Sequence, residues 1–504
     1  MTNKVDICLL LEGTYPYVRG GVSSWLHQMI SGLPEYSFHL IFLGGTPEFY
    51  GTPAYALPDN VVGFEAHYLF HRPQQGSPKP CAGDSAIFQQ WEQLISYLEE
   101  ATGPISAELL DGLFSQLGKH KRLSLEDFFY SRASWEVLSK RYLDTSPDQS
   151  FVDYFWTYRT IHQPLFTLAH IARNLPDAQV FHTLSTGYAG LLGALCKQKT
   201  KRPFIITEHG IYTKERKIDL AQASWIPDRH SLIDTSMHKD MGQTRKTWIR
   251  FFEQLGLTAY HQADNIISLF EGNRHRQHLD GAPTEKTKVI VNGIDVERFA
   301  NAYAQRPTTP PLVVGLIGRV VPIKDIKTFV RAIRGAVEVL PTLQGWIIGP
   351  TEEDPAYVRE CELLIKSLGL TEHIKLLGSQ NVAEMMPKLG GVMLTSISEA
   401  QPLVLLEAMA AGIPCITTHV GACSEIIEGA SGEDAALGSA GIIIQIANPA
   451  QAAQAIIDTL SNTAQWRKTG DIGKQRVTRY YHETDMYGAY RTLYQEAIHG
   501  GNRL

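Results

Sequence analysis

The first hydrophobic run of the chain, residues 5–11, is continuous but for Asp6 rather than alternating. Unbroken apolar runs of this length mark strands buried on both faces of a parallel sheet. The run leads through a loop at 12–21, rich in Gly, Tyr and Pro, into Val22, Trp25, Leu26, Met29 and Ile30 at helical spacing, and then into a second apolar run at 38–43. This β-loop-α-β opening predicts a doubly wound α/β sheet. The rhythm breaks over about 47–150, where Pro73, Pro78, Pro80 and Pro147 punctuate helical patterns at 88–98 and 128–143 and no parallel strand stands out. That stretch reads as a helical insertion on the first domain. Strands are expected again at 180–183, 204–207, 265–268 and 288–291, with helices at 187–197 and 247–261 and a long loop before the second of these.

Asn292-Gly293 is a turn signal, and the Pro-rich stretch 306–311 that follows it predicts a domain boundary there. Beyond it the alternation is cleaner, with strands at 312–317, 344–348, 374–376, 392–394, 415–417 and 442–444 and a closing helical pattern at 485–498. The expected organisation is a Rossmann-like domain over 1–300, a second over 301–480, and a C-terminal helix within 481–504 packing back on the first. A chain of 504 residues exceeds what one core usually organises, which supports two domains.

The net charge of −6, with no long basic run, argues against nucleic acid as a partner. The six cysteines form no Cys-x-x-Cys pair, and Cys8, Cys196 and Cys415 lie in apolar segments, so a reducing cytoplasm fits best. The apolar run at 7–11 is too short for a signal peptide, and no later stretch approaches the ~20 residues of a membrane span. Recruitment to a membrane would therefore depend on partner proteins.

Two segments of the second half carry chemistry. After the 312–317 strand the chain reads Gly318-Arg319-Val320-Val321-Pro322-Ile323-Lys324. Ligands of open α/β sheets bind at the carboxyl ends of strands, and an arginine fork with a lysine point charge suits two linked phosphates. Two cations flanking a surface loop is the plainer reading. After the 392–394 strand, Glu399 precedes a helix expected to start with Pro402 as its first residue and to stop at Gly412 and Pro414. The free N–H groups of Leu403 and Val404 then form an anion site at the helix start. Glu407 sits among Leu403, Val404, Leu405, Leu406, Ala408, Met409 and Ala410, where a carboxylate needs a partner. Glu399 could also be a carboxylate at a helix dipole, and Glu407 a solvated position. In the first half, the Gly20-Gly21 turn lets backbone approach a ligand or simply shapes the chain. His209, after the 204–207 strand, fits either a sugar hydroxyl or a core position, and His182 is a weaker candidate of the same kind.

The pair Glu399 and Glu407, preceded by Gly318-Arg319 and Lys324, resembles the E-x7-E and Arg/Lys signature of GT4 retaining glycosyltransferases, which have the GT-B fold. The resemblance implies two Rossmann-like domains facing across a cleft, with the acceptor on the N-terminal one. It further implies that Arg319 and Lys324 hold the donor diphosphate while Glu407 takes the ribose hydroxyls. Glu399 would contact the transferred sugar, Leu403 and Val404 would cap phosphate, Gly20 and Gly21 would lie against donor and acceptor, and His209 would be catalytic. Asp325 departs from the family, which often has glycine there, and Gln401-Pro402 stands for a frequent aromatic-glycine pair. The segments 9–21, 207–216 and 398–412 together are similar to the PelF-type transferases of Pel exopolysaccharide synthesis. That implies a UDP-sugar donor such as UDP-glucose or a UDP-N-acetylhexosamine, a saccharide acceptor, and an inner-membrane Pel assembly as partner. No Asp-x-Asp motif is present, so neither metal nor cofactor is expected. A nucleotide-sugar epimerase of the same fold, which releases no free UDP, and a non-catalytic two-lobed binding module are the alternatives.

Overall fold

The structure, a computed structural model, describes residues 4–71, 81–100, 102–146, 150–222, 242–430 and 432–501. It divides into two compact units, 1–289 with 490–504 and 290–489. Pro73, Pro78, Pro80 and Pro147 lie outside the described residues.

The first unit is built on a seven-stranded, wholly parallel sheet of order β3-β2-β1-β4-β5-β6-β7. Its strands are β1 (Val5–Glu12), β2 (Phe38–Gly44), β3 (Val61–Tyr68), β4 (Ala178–Thr183), β5 (Phe204–Glu208), β6 (Asn265–Ser268) and β7 (Thr287–Val289). Helix α1 (Gly21–Gly32) follows β1 and buries Trp25, Leu26, Met29 and Ile30, four of the five residues its spacing singles out, while Val22 is half-buried. The stretch expected to lack a parallel strand contains β3. Only partial burial marks that edge strand, so its apolar signal is diluted: Glu65 accepts from His39 and His67, each at 3.1 Å, on the sheet margin. Among the described residues six helices lie between β3 and β4: α2 (Ser85–Glu100), α3 (Ala107–Phe114), α4 (Leu125–Tyr130), α5 (Arg132–Thr145), α6 (Phe151–His162) and α7 (Pro164–Arg173). Their core centres on Trp91, fully buried, whose indole N–H donates to the Tyr158 hydroxyl at 2.8 Å. Part of the expected long loop is also helical. Helix α8 (Tyr188–Thr200) follows β4, α9 (Tyr212–Gln222) follows β5, and α10 (Gln243–Gln262) precedes β6.

The second unit carries a six-stranded parallel sheet of order β10-β9-β8-β11-β12-β13. The strands are β8 (Val313–Ile317), β9 (Gln344–Ile348), β10 (Ile374–Gly378), β11 (Gly391–Leu394), β12 (Cys415–Thr418) and β13 (Gly441–Ile444). The division falls after Val289, not at the Pro-rich stretch, because the intervening residues bond to the second unit. Ile294 N donates to Tyr481 O at 3.0 Å, Phe299 is buried, and Arg306 Nη1 reaches Gly412 O at 2.8 Å. The closing helix, α11 (Glu483–Gly501), returns to the first unit from Tyr490 onward. There the Tyr494 hydroxyl lies 2.7 Å from His182 Nδ1, and the Tyr490 hydroxyl 3.1 Å from Thr207 Oγ1, all fully buried. Among the described residues no helix is long and apolar enough to cross a membrane.

Tyr494→Phe keeps the ring but strands the buried His182 Nδ1. It is expected to lower stability by about 1–3 kcal/mol, read as an earlier urea transition of the first unit by tryptophan fluorescence.

Candidate functional site

In the second sheet β8 and β11 are neighbours, but β9 follows on one side and β12 on the other. The loops leaving the carboxyl ends of β8 and β11 diverge at this reversal, which opens a crevice for a ligand. Gly318 opens the first loop, and its N–H donates to Ile348 O at 2.8 Å. A side chain at Gly349 would lie 2.0 Å from Gly318 O, so the loops after β8 and β9 approach as closely as glycine allows.

The two loops at the reversal are laced together. Thr395 Oγ1 donates to the carbonyls of Lys324 and Asp325 at 2.8 and 3.0 Å, and Ile397 N donates to Ile323 O at 2.9 Å. That lacing brings Lys324 Nζ to 2.5 Å from Glu399 Oε1. Ser396 Oγ donates to the same carboxylate oxygen at 2.6 Å. From behind, Gly421 at φ +52° holds the Glu399 backbone, since a Cβ there would fall 2.3 Å from Glu399 O. Ser396 and Gly421 were not singled out in the sequence, although both lie just beyond the carboxyl end of a strand.

Arg319 and Lys324, expected to converge, engage different carboxylates. Arg319 Nη1 donates to both oxygens of Glu353, at 2.5 and 2.7 Å, with side chains 43% and 51% exposed. A pair this exposed is worth about 0–1 kcal/mol, so it restrains Arg319 only weakly. Asp325 adopts φ +44°, a left-handed conformation that favours glycine. It also caps the helix Ile326–Val337 by accepting from Thr328 N at 3.2 Å.

The helix after Glu399 runs over Leu403–Ala410. Pro402 was expected as its first residue; instead it is the N-cap, with ψ 113°, and its carbonyl accepts from Leu405 N at 3.2 Å. Leu403 and Val404 are therefore the first two helical residues, whose N–H groups lie outside the helix's own ladder. Gln401 is buried and accepts from Asn292 N at 2.7 Å. Gly412 ends the segment at φ +70°. Glu407 keeps a partly exposed edge, but the apolar bulk around it pushes its carboxyl up to about 7, with Arg298 pulling weakly the other way.

The first-unit candidates separate into two kinds. Gly20 is the N-cap of α1, no side chain caps that helix, and a Cβ at Gly20 or Gly21 would meet nothing within 4 Å. Room, not internal packing, surrounds both glycines. His209 is buried edge-on against Trp25, ring centroids 4.4 Å apart, and its Nε2 has no partner among the described residues. Burial pushes its imidazole down to about 3, so it is neutral near pH 7 and can exchange hydrogen bonds but not supply a cation. His182 is likewise pushed to about 3 and is committed to Tyr494 and Thr207, a packing role.

Residues 5–285 match the family described as "Domain of unknown function (DUF3492)", more than half of the chain. The chain belongs to this family. In this DUF3492 protein, residues 311–462 of the second unit match the family described as "Glycosyl transferases group 1". The N-acetyl-alpha-D-glucosaminyl L-malate synthase of Bacillus anthracis is 30% identical over 27% of this chain and 34% of its own length, so the chain spans about a third of that relative. The glycogen synthase of Mycobacterium tuberculosis is 24% identical over 63% of this chain and 76% of its own. Among solved structures, Anabaena HepE in complex with UDP and glucose superposes with a TM-score of 0.58 at 15% identity, covering 97% of this chain and 99% of that one. Two Rossmann-like units with parallel sheets are the GT-B architecture, as expected for the fold.

Glu407 yields a pH prediction. Between pH 4.5 and about 7 the folded chain retains a proton that the unfolded chain has released. Stability therefore falls as pH rises through that window and levels off above it. Glu407→Gln, which cannot ionise, is expected to raise the thermal midpoint at pH 8 and leave it unchanged below pH 4.5. An equal shift at both pH values would refute the assignment.

Proposed function

We propose that this DUF3492 protein is a retaining glycosyltransferase that uses a UDP-sugar, with UDP-glucose and UDP-N-acetylhexosamines as the first donors to test, in Pel-type exopolysaccharide synthesis. The observation that carries the reading is the Lys324–Glu399 pair at the strand-order reversal, one turn ahead of an uncapped helix start. A diphosphate is the ligand that such a lysine, an arginine and two free N–H groups suit best. The group 1 match over this same unit, the sugar-transferring relatives and the UDP complex of HepE all support it.

In this proposal the diphosphate takes Lys324, Arg319 and the N–H groups of Leu403 and Val404, and Glu407 accepts the ribose hydroxyls. Lys324 then exchanges one oxyanion for another, and Glu399 is released toward the hydroxyls of the sugar. The bond from the anomeric carbon to the β-phosphate oxygen breaks on the face where the acceptor hydroxyl enters, and the acceptor proton passes to the departing phosphate. Stabilising the leaving group and positioning the acceptor supply most of the catalysis. Gly20 and Gly21 give backbone access, and His209 serves as a neutral hydrogen-bonding partner. Lys324–Glu399 is the contact that fixes the lysine, since both side chains are largely shielded, 20% and 13% exposed. The chain would work at the cytoplasmic face, held to an inner-membrane Pel assembly by partner proteins.

The test is release of UDP from a panel of UDP-sugars with saccharide acceptors. Glu399→Ala should lower turnover by about 10²–10³-fold while UDP affinity stays within a few-fold. Lys324→Ala should weaken UDP itself by about 1.5–3 kcal/mol, tenfold or more in Kd. Epimerised nucleotide sugar without free UDP would favour the epimerase, and an inverted anomeric centre in the product, seen by NMR, would exclude retention.

A further inference from the structure

The first unit holds a cavity of about 430 Å³ that the donor chemistry above leaves unused. It lies at the carboxyl ends of β1 and β2, where Glu12, Gly13, Gly44 and Gly45 line it, and its volume is within the ~300–1,000 Å³ of small-molecule sites. Six aromatic residues form its walls: Tyr50, Phe70, Tyr188, Tyr212, Trp248 and Phe252.

Its polar end is a relay of three side chains. Arg216 Nη2 donates to the Tyr212 hydroxyl at 3.1 Å, and that hydroxyl donates to Glu12 Oε1 at 2.7 Å. Glu12 Oε2 accepts from Ala189 N at 3.0 Å and Ser185 Oγ at 3.2 Å, so the carboxylate is fixed from β1, α8 and α9 at once. The guanidinium lies over the Tyr212 and Phe252 rings, 5.1 and 5.3 Å from their centroids. Its Nε–H is buried and finds no acceptor among the described residues.

These features narrow the ligand. A purely apolar guest would leave a carboxylate and a guanidinium desolvated against hydrocarbon, which is costly. An anion would meet Glu12 and a cation would meet Arg216, each at a cost, whereas Glu12 and Arg216 together are neutral and the exposed Asp219, 3.7 Å from Arg216 Nη1, lies outside the cavity lining. A neutral molecule with one apolar face and hydroxyls at its edge satisfies every wall, and a pyranose ring is that molecule: its C–H face stacks on aromatics while its hydroxyls donate to carboxylate and accept from guanidinium.

We propose that this cavity binds a neutral hexopyranosyl unit of the acceptor saccharide, seated between the aromatic walls with its hydroxyls on Glu12 and Arg216. The proposal rests on the transferase reading above and adds which cavity of the first unit holds the acceptor and that the unit seated there carries no charge. Gly45 lines the cavity and accepts a side chain without a clash, because a Cβ there meets nothing closer than Phe49 at 4.0 Å. The full-length protein is titrated by calorimetry with maltose, cellobiose, N,N′-diacetylchitobiose and an acidic control, digalacturonic acid, and separately with UDP. At least one neutral disaccharide should bind, and Gly45→Leu and Trp248→Ala should each weaken it about tenfold or more with UDP affinity within twofold of the parent. Gly45→Leu guards against a folding defect in Trp248→Ala, and thermal midpoints check both. The proposal is overturned if no neutral disaccharide binds, if only the acidic one does, or if both variants bind as the parent does. Failure of UDP alone to bind the parent would instead overturn the transferase reading beneath it.

Discussion

A lysine and a carboxylate held 2.5 Å apart at the carboxyl end of a parallel sheet are the constraint around which the second unit is arranged. Neither side chain could be held there by its own loop, because loops at a strand-order reversal part company and leave their tips without mutual support. The structure restores that support through backbone. Thr395 takes the carbonyls on either side of the Lys324–Asp325 peptide, Ile397 pairs with Ile323, and Ala422 N donates to Ala400 O at 2.7 Å. Thr418 Oγ1 adds a bond to Ser396 O at 2.7 Å from the next strand. Three successive strand ends are thus tied into one rigid rim, which is what a preorganised anion site requires.

The two carboxylates of this rim sit in different environments, which suits them to the different roles proposed for them. Glu399 has a cation and a hydroxyl as partners, so its charge is compensated before anything binds. Glu407, embedded in an almost wholly apolar helix, is pushed up to about 7 by burial, with the charge of Arg298 pulling the other way. A carboxylate left that close to neutrality at working pH is poised to accept hydroxyl donors, which stabilise its ionised form. The stability it forfeits in the folded chain is the kind of local cost that functional sites carry.

Much of this was legible in the sequence where burial is two-sided. The interior strands β1, β2, β4, β5, β6, β8, β9, β11 and β12 are mostly apolar runs, and their positions follow largely from that. What failed were elements with one wet side. Strand β3 pairs through one edge only and carries Glu65 and His67 among its apolar residues, and α9, with Lys214, Glu215, Arg216 and Lys217 in succession, lacks an apolar stripe. Both are set by tertiary context that periodicity does not record. The signature residues were found because charged groups are conspicuous next to apolar strands. Their companions were not, Ser396 and Glu353 through hydrogen bonds and Gly421 through close backbone approach, because nothing in their local sequence distinguishes them from ordinary loop residues.

The two positions that depart from the family pattern show how a motif can change residue types and keep its geometry. A glycine is frequent after the lysine because the chain there turns through φ near +44°, which a Cβ opposes. Asp325 accepts that strain, and its carboxylate offsets it by capping the next helix at Thr328 N. Gln401 likewise stands where an aromatic is frequent, but it is buried and accepts the Asn292 N–H at 2.7 Å, so it anchors the segment by a hydrogen bond where a ring would do so by packing. Both side chains brace the backbone path that delivers Lys324, Glu399 and the helix start to the same crevice. In this chain the two departures therefore fall on residues that hold the loops, while the charge at the crevice is carried by Lys324 and Glu399.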